Sequence, residues 1–346
     1  MNEESKDKKK NPLRSFTNAT RDLAPFLSWG WQFALTLGVL AWVGHWLDER
    51  FETKVLFVLI GAFCFAISNA YWKKVTQTIP YQIGMFFRGV FASGFFAILY
   101  FGFKNHPAFT GWTVRPLAID QQLLYTIAIC IFNIFGLMFF LRGIQKAPVS
   151  LVVPVSALKV FTILTAVFVV GEIWKMPYLY AFILSTGGVL LLYLDGSEHA
   201  TAKEQRLGVL YGLASSFFWG SSYALYKYPI SWWGPLGFSF VIETTAMLFG
   251  LVLVVRDGLF RKLFQYVKSL HIQTYIVQGI LLVAGGLAIN VSYQYLPIMV
   301  INILIISSQL LSVLLGFMFF KERLSLKQWI GLVLIMISFF VVATAV

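Results

Sequence analysis

Apolar runs of about twenty residues, separated by short polar loops, recur through most of this 346-residue chain. Coiled as a helix at about 1.5 Å per residue, such a run matches the hydrocarbon thickness of a bilayer. In hydrocarbon every backbone N–H and C=O must be satisfied inside the protein, so only helices or a closed barrel can span it. Strict apolar–polar alternation is missing and Pro and Gly gather near the run ends, which selects helices. Composition agrees: 58% of residues are hydrophobic and 12% charged, against roughly a quarter charged in soluble domains. The expected fold is therefore all-α, a polytopic helical membrane protein.

Eleven spans are expected, at about 26–47, 55–74, 82–103, 121–142, 149–171, 177–194, 207–227, 235–255, 273–295, 298–320 and 328–346. Residues 1–25 form a basic tail carrying Lys6, Lys8, Lys9, Lys10, Arg14 and Arg21. The run at 26–47 is too long for a signal-peptide core and lacks a small-x-small cleavage site, so it reads as a retained accessory helix. The formal charge of +12 does not indicate nucleic acid, because the cations sit in short loops beside the spans. Alternate loops collect nineteen Lys and Arg on one face and six on the other, while Arg88 and Lys159 lie within spans. By the positive-inside rule the N-terminus is cytoplasmic and the C-terminus is outside, and the expected location is a cell membrane, the bacterial inner membrane.

The chain also resembles itself. At a shift of 150, SALKVFTILTAVFVVGE (156–172) overlies ISSQLLSVLLGFMFFKE (306–322), and Glu172 meets Glu322. At a shift of 153, IGAFCFAISNAYWKK (60–74) overlies LASSFFWGSSYALYK (213–227), placing Ser68 on Ser221. Each unit then holds five spans, 55–200 and 201–346. An odd number of spans per unit forces the second copy upside down relative to the first, which gives an inverted pair of five-helix repeats with a central site between them.

Residues 146–172 and 296–341 resemble the EamA-type members of the drug/metabolite transporter superfamily. That family ends each half with helix, Gly-Glu or Lys-Glu, short loop and helix, as at Gly171-Glu172 and Lys321-Glu322. The resemblance implies a secondary transporter that moves a small metabolite by alternating access, with no cofactor and no enzymatic step. Residues 44–65 are similar to a small two-helix membrane protein that accompanies bacterial ATP synthase, through Gly44, Leu47, Asp48 and Thr53, although Ala66 stands where that family has a further glycine. This second resemblance implies an alternative role, as an accessory or assembly protein. Family members usually keep both ends in the cytoplasm. Either the extra helix inverts the repeats, as the charge count has it, or that helix does not fully span.

Ionisable groups deep within spans are functional candidates by default. Lys159 lies about ten residues into its span, roughly 15 Å deep and out of reach of the interface by snorkelling. Its repeat mate is Gln309. Ser156, Lys159 and Thr162 share a helix face at i, i+3 and i+6, and Gln309 and Ser312 share the equivalent one, with Asn302 two turns earlier. Lys159 either serves a site or pairs structurally with Glu243, which itself could carry a coupling proton. Arg88, six residues into its span, either snorkels or lines a cavity. Asn133 and Asn290 either bind substrate or join helices. The stripe Ser215, Trp219, Ser222 and Tyr226 either packs helices or shapes a pocket. Glu172 and Glu322 read as architectural.

In related carriers of phosphorylated sugars and nucleotide sugars, an inner lysine meets an anionic group. The resemblance therefore implies an anionic or zwitterionic small-molecule substrate. Cys64 and Cys130 read as small core residues, and no HExxH, CxxC, GxSxG or P-loop spacing is present. Partners are the substrate and the lipid bilayer. Gly187, Gly188 and Gly331 in the fifth helices allow a homodimer.

Overall fold

The computed structural model describes residues 55–102, 111–113, 115–158, 160–194, 202–267, 272–296 and 325–343, with Ile298, Ile301, Ile305, Ser308, Leu311, Ser312 and Leu315. The basic tail and the accessory helix expected at 26–47 lie outside the described residues, as do Lys159, Gln309, Asn302 and Glu322.

Every regular element among the described residues is helical. The first repeat contributes α1 (Val55–Thr78), α2 (Tyr81–Ala97, ending in a π-helical turn Ile98–Gly102), α3 (Gln121–Lys146), α4 (Val149–Ser156), α5 (Val160–Thr165, ending in a π turn Ala166–Val170) and α6 (Met176–Leu194). The second contributes α7 (Ala202–Leu225), α8 (Lys227–Arg256), a short α9 (Phe260–Val267), α10 (Ile272–Ser292) and α11 (Leu326–Ala343). Tyr81–Gly102, Gln121–Lys146, Leu151–Val170 and Lys227–Arg256 each have the length and hydropathy of a bilayer-crossing helix. Ends follow local chemistry. Asp120 caps α3 by accepting from the Leu123 N–H at 2.9 Å, and Pro80 and Pro148 open α2 and α4 where no helical N–H partner is needed. Gly171 closes the π turn after α5 at φ +83°, a left-handed conformation suited to glycine.

One expectation about helix continuity needs correction. The span at 149–171 is broken: α4 ends at Ser156, and Ala157 has φ −97° and ψ 5°. Pro154 sits inside α4, where it removes a hydrogen-bond donor and weakens the helix just ahead of the break. Within α8, Gly234 is non-helical (φ 76°, ψ 167°) and is followed by Pro235, so a short helix at 227–233 precedes the span helix, which begins at 235 as expected.

Packing follows the repeat. The pairs α1 with α10 and α3 with α7 join the first helix of one repeat to the third helix of the other, whereas α2 pairs with α8 and α6 with α11, like with like. The direction of these crossings settles how the halves are related. A Cβ on Gly89 would meet the backbone of Met247 at 2.6 Å, and one on Gly250 would meet the backbone of Phe86 at 2.8 Å. Moving back along α2 thus moves forward along α8, so the two second helices are antiparallel. Equivalent helices crossing antiparallel are related by an axis across them, which makes the repeats inverted. Cys64 and Cys130 are buried and free, with the Cys64 side chain packed on Gly285.

The fifth helices form a separate layer. A Cβ on Gly188 would lie 2.6 Å from the Gly331 carbonyl oxygen, so these two glycines serve a contact within the chain, whereas Gly187 has open space beside it. Large apolar side chains such as Ile183, Val252, Ile337 and Phe340 are exposed along α6, α8 and α11, as lipid-facing surface should be.

The α2–α8 crossing gives a direct test of this packing. Because the atoms facing Gly89 are backbone and cannot rotate away, Gly89→Ala should cost about 1–3 kcal/mol and lower the apparent melting temperature by several degrees. Gly94→Ala, with nothing within 4 Å of its new methyl, should leave melting unchanged. Tryptophan fluorescence on heating in detergent reads both.

Candidate functional site

Between the halves lies a cavity of about 140 Å³, room for several waters or a small solute. The first four helices of each repeat contribute to its wall. From the first repeat come Phe65, Ser68, Asn69 and Trp72 of α1, Arg88 and Phe96 of α2, Asn133 and Leu137 of α3, and Ser156 and Ala157 at the break. The second adds Trp219 and Tyr223 of α7, Ser239, Ile242 and Glu243 of α8, Asn290 of α10, and Tyr226, Tyr293, Ile305 and Ser308. The wall combines aromatic and aliphatic side chains with amides, hydroxyls and one ion pair set into it, the makeup expected of a small-molecule site.

Of the residues singled out in the sequence, Ser156, Asn133, Asn290, Trp219, Tyr226, Arg88 and Glu243 line this cavity, whereas Lys159 and Gln309 lie outside the described residues. Glu243 has its cationic partner on α2. The Arg88 Nη2 donates to Glu243 Oε1 at 2.7 Å, with both residues more than nine-tenths buried. Arg88 therefore lines the cavity and does not snorkel to the interface. Arg88 Nε and Glu243 Oε2 are buried and lack a hydrogen-bond partner among the described residues.

Both amides join helices. Asn133 donates to Ser222 Oγ at 3.1 Å, tying α3 to α7, and Asn290 donates to Ser239 Oγ at 2.8 Å, tying α10 to α8, while both face the cavity. Further bonds between the halves run from Gln278 to Ser68 Oγ at 2.6 Å and from Asn69 to Ser312 Oγ at 3.4 Å. In the stripe on α7, Ser215 donates to the Gly136 carbonyl at 2.8 Å, and the Trp219 ring lies over Gly136, where a Cβ would meet it at 2.4 Å. The stripe thus packs helices at its serines and shapes the pocket at Trp219 and Tyr226.

The break ahead of α5 puts Ser156 on the cavity wall and leaves Thr162 off it, while Lys159, between them, lies outside the described residues. The carbonyl freed at Leu158 accepts from Ser216 Oγ at 3.0 Å. Sequence reasoning missed why α7 can supply that hydroxyl. Gly208, Gly212, Ser216 and Gly220 recur every fourth residue, and the glycines meet Ala147, Val155 and the Thr162 backbone. This small-residue ridge lets α7 run close along the broken helix, and its spacing was visible in the sequence.

The ends are polar, and the contacts group the loops as the charge count did. At one end Asp257 accepts from Gln82 and Arg256, both at 2.7 Å, and these bonds hold its carboxyl below the usual carboxylate range. Arg142 donates to Tyr81 Oη at 3.0 Å, and Lys146 pairs with Glu204 at 3.2 Å. At the other end Arg115 pairs with Asp120 at 3.0 Å and lies 4.2 Å over the Trp233 ring. The nearby Leu236 N–H, beside the α8 kink, donates to the Trp112 carbonyl at 3.0 Å. Glu172 is half-buried at this same end. Burial raises its carboxyl above the usual range, although the Lys227 and Lys175 cations oppose the shift. Its N–H returns to the Ala166 carbonyl at 2.9 Å, closing the π turn, in keeping with an architectural role.

Comparison with known proteins matches this arrangement. The EamA-like transporter family matches residues 52–194 and again 206–344. The family described as "Putative F0F1-ATPase subunit Ca2+/Mg2+ transporter" matches residues 23–71, so the two patterns share much of α1. An "Uncharacterized transporter" of Archaeoglobus fulgidus is 22% identical over 301 residues, covering 82% of this chain and 96% of that protein. A crystal structure of another protein superposes with a TM-score of 0.54 at 14% identity, covering 84% of this chain and 98% of the other, a likeness of fold alone.

Glu172 offers a pH test. An acid whose folded-state pKa is raised holds its proton more tightly when folded, so stability falls as pH rises through the carboxylate range and stays lower above it. Glu172→Gln should therefore melt about a degree or two higher than wild type at pH 7.5. The gap should close at pH 4, where wild-type Glu172 is also neutral. A gap of equal size at both pH values would count against a buried carboxyl.

Proposed function

We propose, from the premise that this chain belongs to the EamA-like transporter family, that it is a secondary transporter whose central cavity takes a small anionic or zwitterionic metabolite. The family match over both repeats and the transporter from Archaeoglobus fulgidus support transport across a membrane. The substrate class rests on one observation above the others: a buried arginine–glutamate pair, with an unpartnered atom on each side, set into a cavity between inverted halves. A solute can present its carboxylate or other anionic group to Arg88, while Trp219 and Tyr223 cover its apolar part. Asn133, Asn290 and Ser156 offer polar groups nearby, and Lys159 and Gln309 are assigned to the same site on their midspan position. Opening the cavity to each side in turn needs the polar clusters around Asp257 and Arg115 to part alternately.

A second reading, an accessory protein of a larger membrane assembly, draws on the match at residues 23–71. It gives no reason for a polar, partly unsatisfied cavity between the halves.

Uptake into proteoliposomes separates the two. Wild type should accumulate an anionic or zwitterionic member of a panel of amino acids and phosphorylated metabolites. Lys159→Ala and Trp219→Ala should lower its initial rate about tenfold, some 1.4 kcal/mol, measured at a temperature where each variant is still folded. Equal rates in wild type and both variants would remove those residues from the site, and no flux at all would favour the accessory protein.

A further inference from the structure

Arg88 and Glu243 form the charged part of the cavity wall among the described residues, and the form of their contact is informative. A guanidinium and a carboxylate brought together for stability usually close as a fork, with two parallel hydrogen bonds. Here one bond is made, Nη2 to Oε1 at 2.7 Å, and Arg88 Nε and Glu243 Oε2 are held back, buried and unpartnered among the described residues. Each partner keeps a site open in a cavity that a solute could enter.

The other described groups around Glu243 are neutral. Arg88 faces it from α2, Cys130 and Asn133 belong to α3, and Tyr223 and Tyr226 lie on and just beyond α7. Asn290 and Tyr293 come from α10 and its C-terminal end, and Ser239 lies one turn back on α8 itself. Lys159 lies outside the described residues. Among the described groups, Arg88 alone compensates the Glu243 carboxylate. If an anionic group took Arg88, a carboxylate left ionised in this low-dielectric wall would be an uncompensated buried charge, which is strongly unfavourable.

We propose that the Arg88–Glu243 pair is an exchange site that couples solute movement to protons, so that an anionic group displaces Glu243 from Arg88 and Glu243 takes up a proton. The proposal rests on the reading of the cavity as the transport route. Before exchange the pair is Arg88 cation with Glu243 carboxylate, with no net charge. After it, Arg88 holds the anion and Glu243 is a neutral acid, again with no net charge. An O–H bond forms at Glu243 with a proton from the water on the side facing the solute. On release the proton leaves to the other side, the carboxylate returns to Arg88 and the anion departs. One proton accompanies each anion, and the empty carrier returns with its pair closed.

Two measurements test this. In infrared spectra of lipid-reconstituted protein at pH 7, Arg88→Gln should show a protonated-carboxyl band that is missing from wild type and from the Arg88→Gln/Glu243→Gln double variant. If Arg88→Gln shows no such band, Glu243 stays ionised without Arg88 and the proposal falls. In proteoliposomes loaded with a pH dye, wild-type uptake of whichever panel solute is moved should carry about one proton per anion. In Glu243→Gln that ratio should fall to zero, whatever solute rate remains. Solute flux without protons in wild type, or an unchanged ratio in Glu243→Gln, overturns the coupling and leaves the transport reading standing. No solute flux at all removes the transport reading and the coupling with it.

Discussion

The close approach of α2 and α8 is the contact on which the rest of the molecule turns. Lipid tails are as apolar as leucine, so helices in a bilayer associate through tight packing and hydrogen bonds and not through exclusion of water. Gly89 and Gly250 let the two second helices meet backbone to backbone in opposite directions. That crossing lies between the halves and gives the inverted relation of the repeats its geometry. It also delivers a cation from one half to an anion in the other, since Arg88 is next to Gly89 and Glu243 lies two turns before Gly250.

Around that contact the polar groups of the interior are shared between halves. Asn133 with Ser222, Gln278 with Ser68, Asn69 with Ser312 and Arg88 with Glu243 each join one repeat to the other. Asn133, Ser68, Asn69, Arg88 and Glu243 among these also line the cavity. The groups that hold the halves together are thus largely the groups a solute would meet, so binding and the relative position of the halves draw on one set of hydrogen bonds. The fifth helices stand apart, joined to each other through Gly188 and Gly331 and contributing no residue to the described wall.

Much of this was legible in the sequence because its signals are local. Span length gave the helices to within a few residues, and two short alignments gave the repeat, with its odd helix count giving the inversion. The depth of Arg88, Glu243, Asn133 and Asn290 within their spans made them candidates for a central site, while whether Arg88 snorkels and whether the asparagines only join helices stayed open. What could not be read depends on long-range geometry. Glu243 could have met Lys159 or Arg88, and only the α2–α8 crossing decides for Arg88. The break at Ala157 was hidden because the run stays apolar through it, and the only local sign is Pro154. The capping hydroxyl of Ser216 comes from another helix, so nothing near Leu158 could reveal it, although the fourfold spacing of small residues on α7 was there to be noticed.

The exchange of partners between halves also has a consequence for how the chain is made. Neither five-helix unit owns its core: α1 completes itself on α10, α3 on α7, and α2 on α8. During synthesis the first unit must enter the bilayer before its counterparts exist. Arg88 is then a cation within a span whose anion is 155 residues further on. At about 5–20 residues per second that wait lasts on the order of ten seconds to half a minute. Over that interval the first repeat has to be held by something other than its final contacts, whether insertion machinery, lipid headgroups or water drawn in beside the guanidinium. The arginine that completes the cavity in the finished protein is, on the way there, a charge the bilayer holds only at a cost.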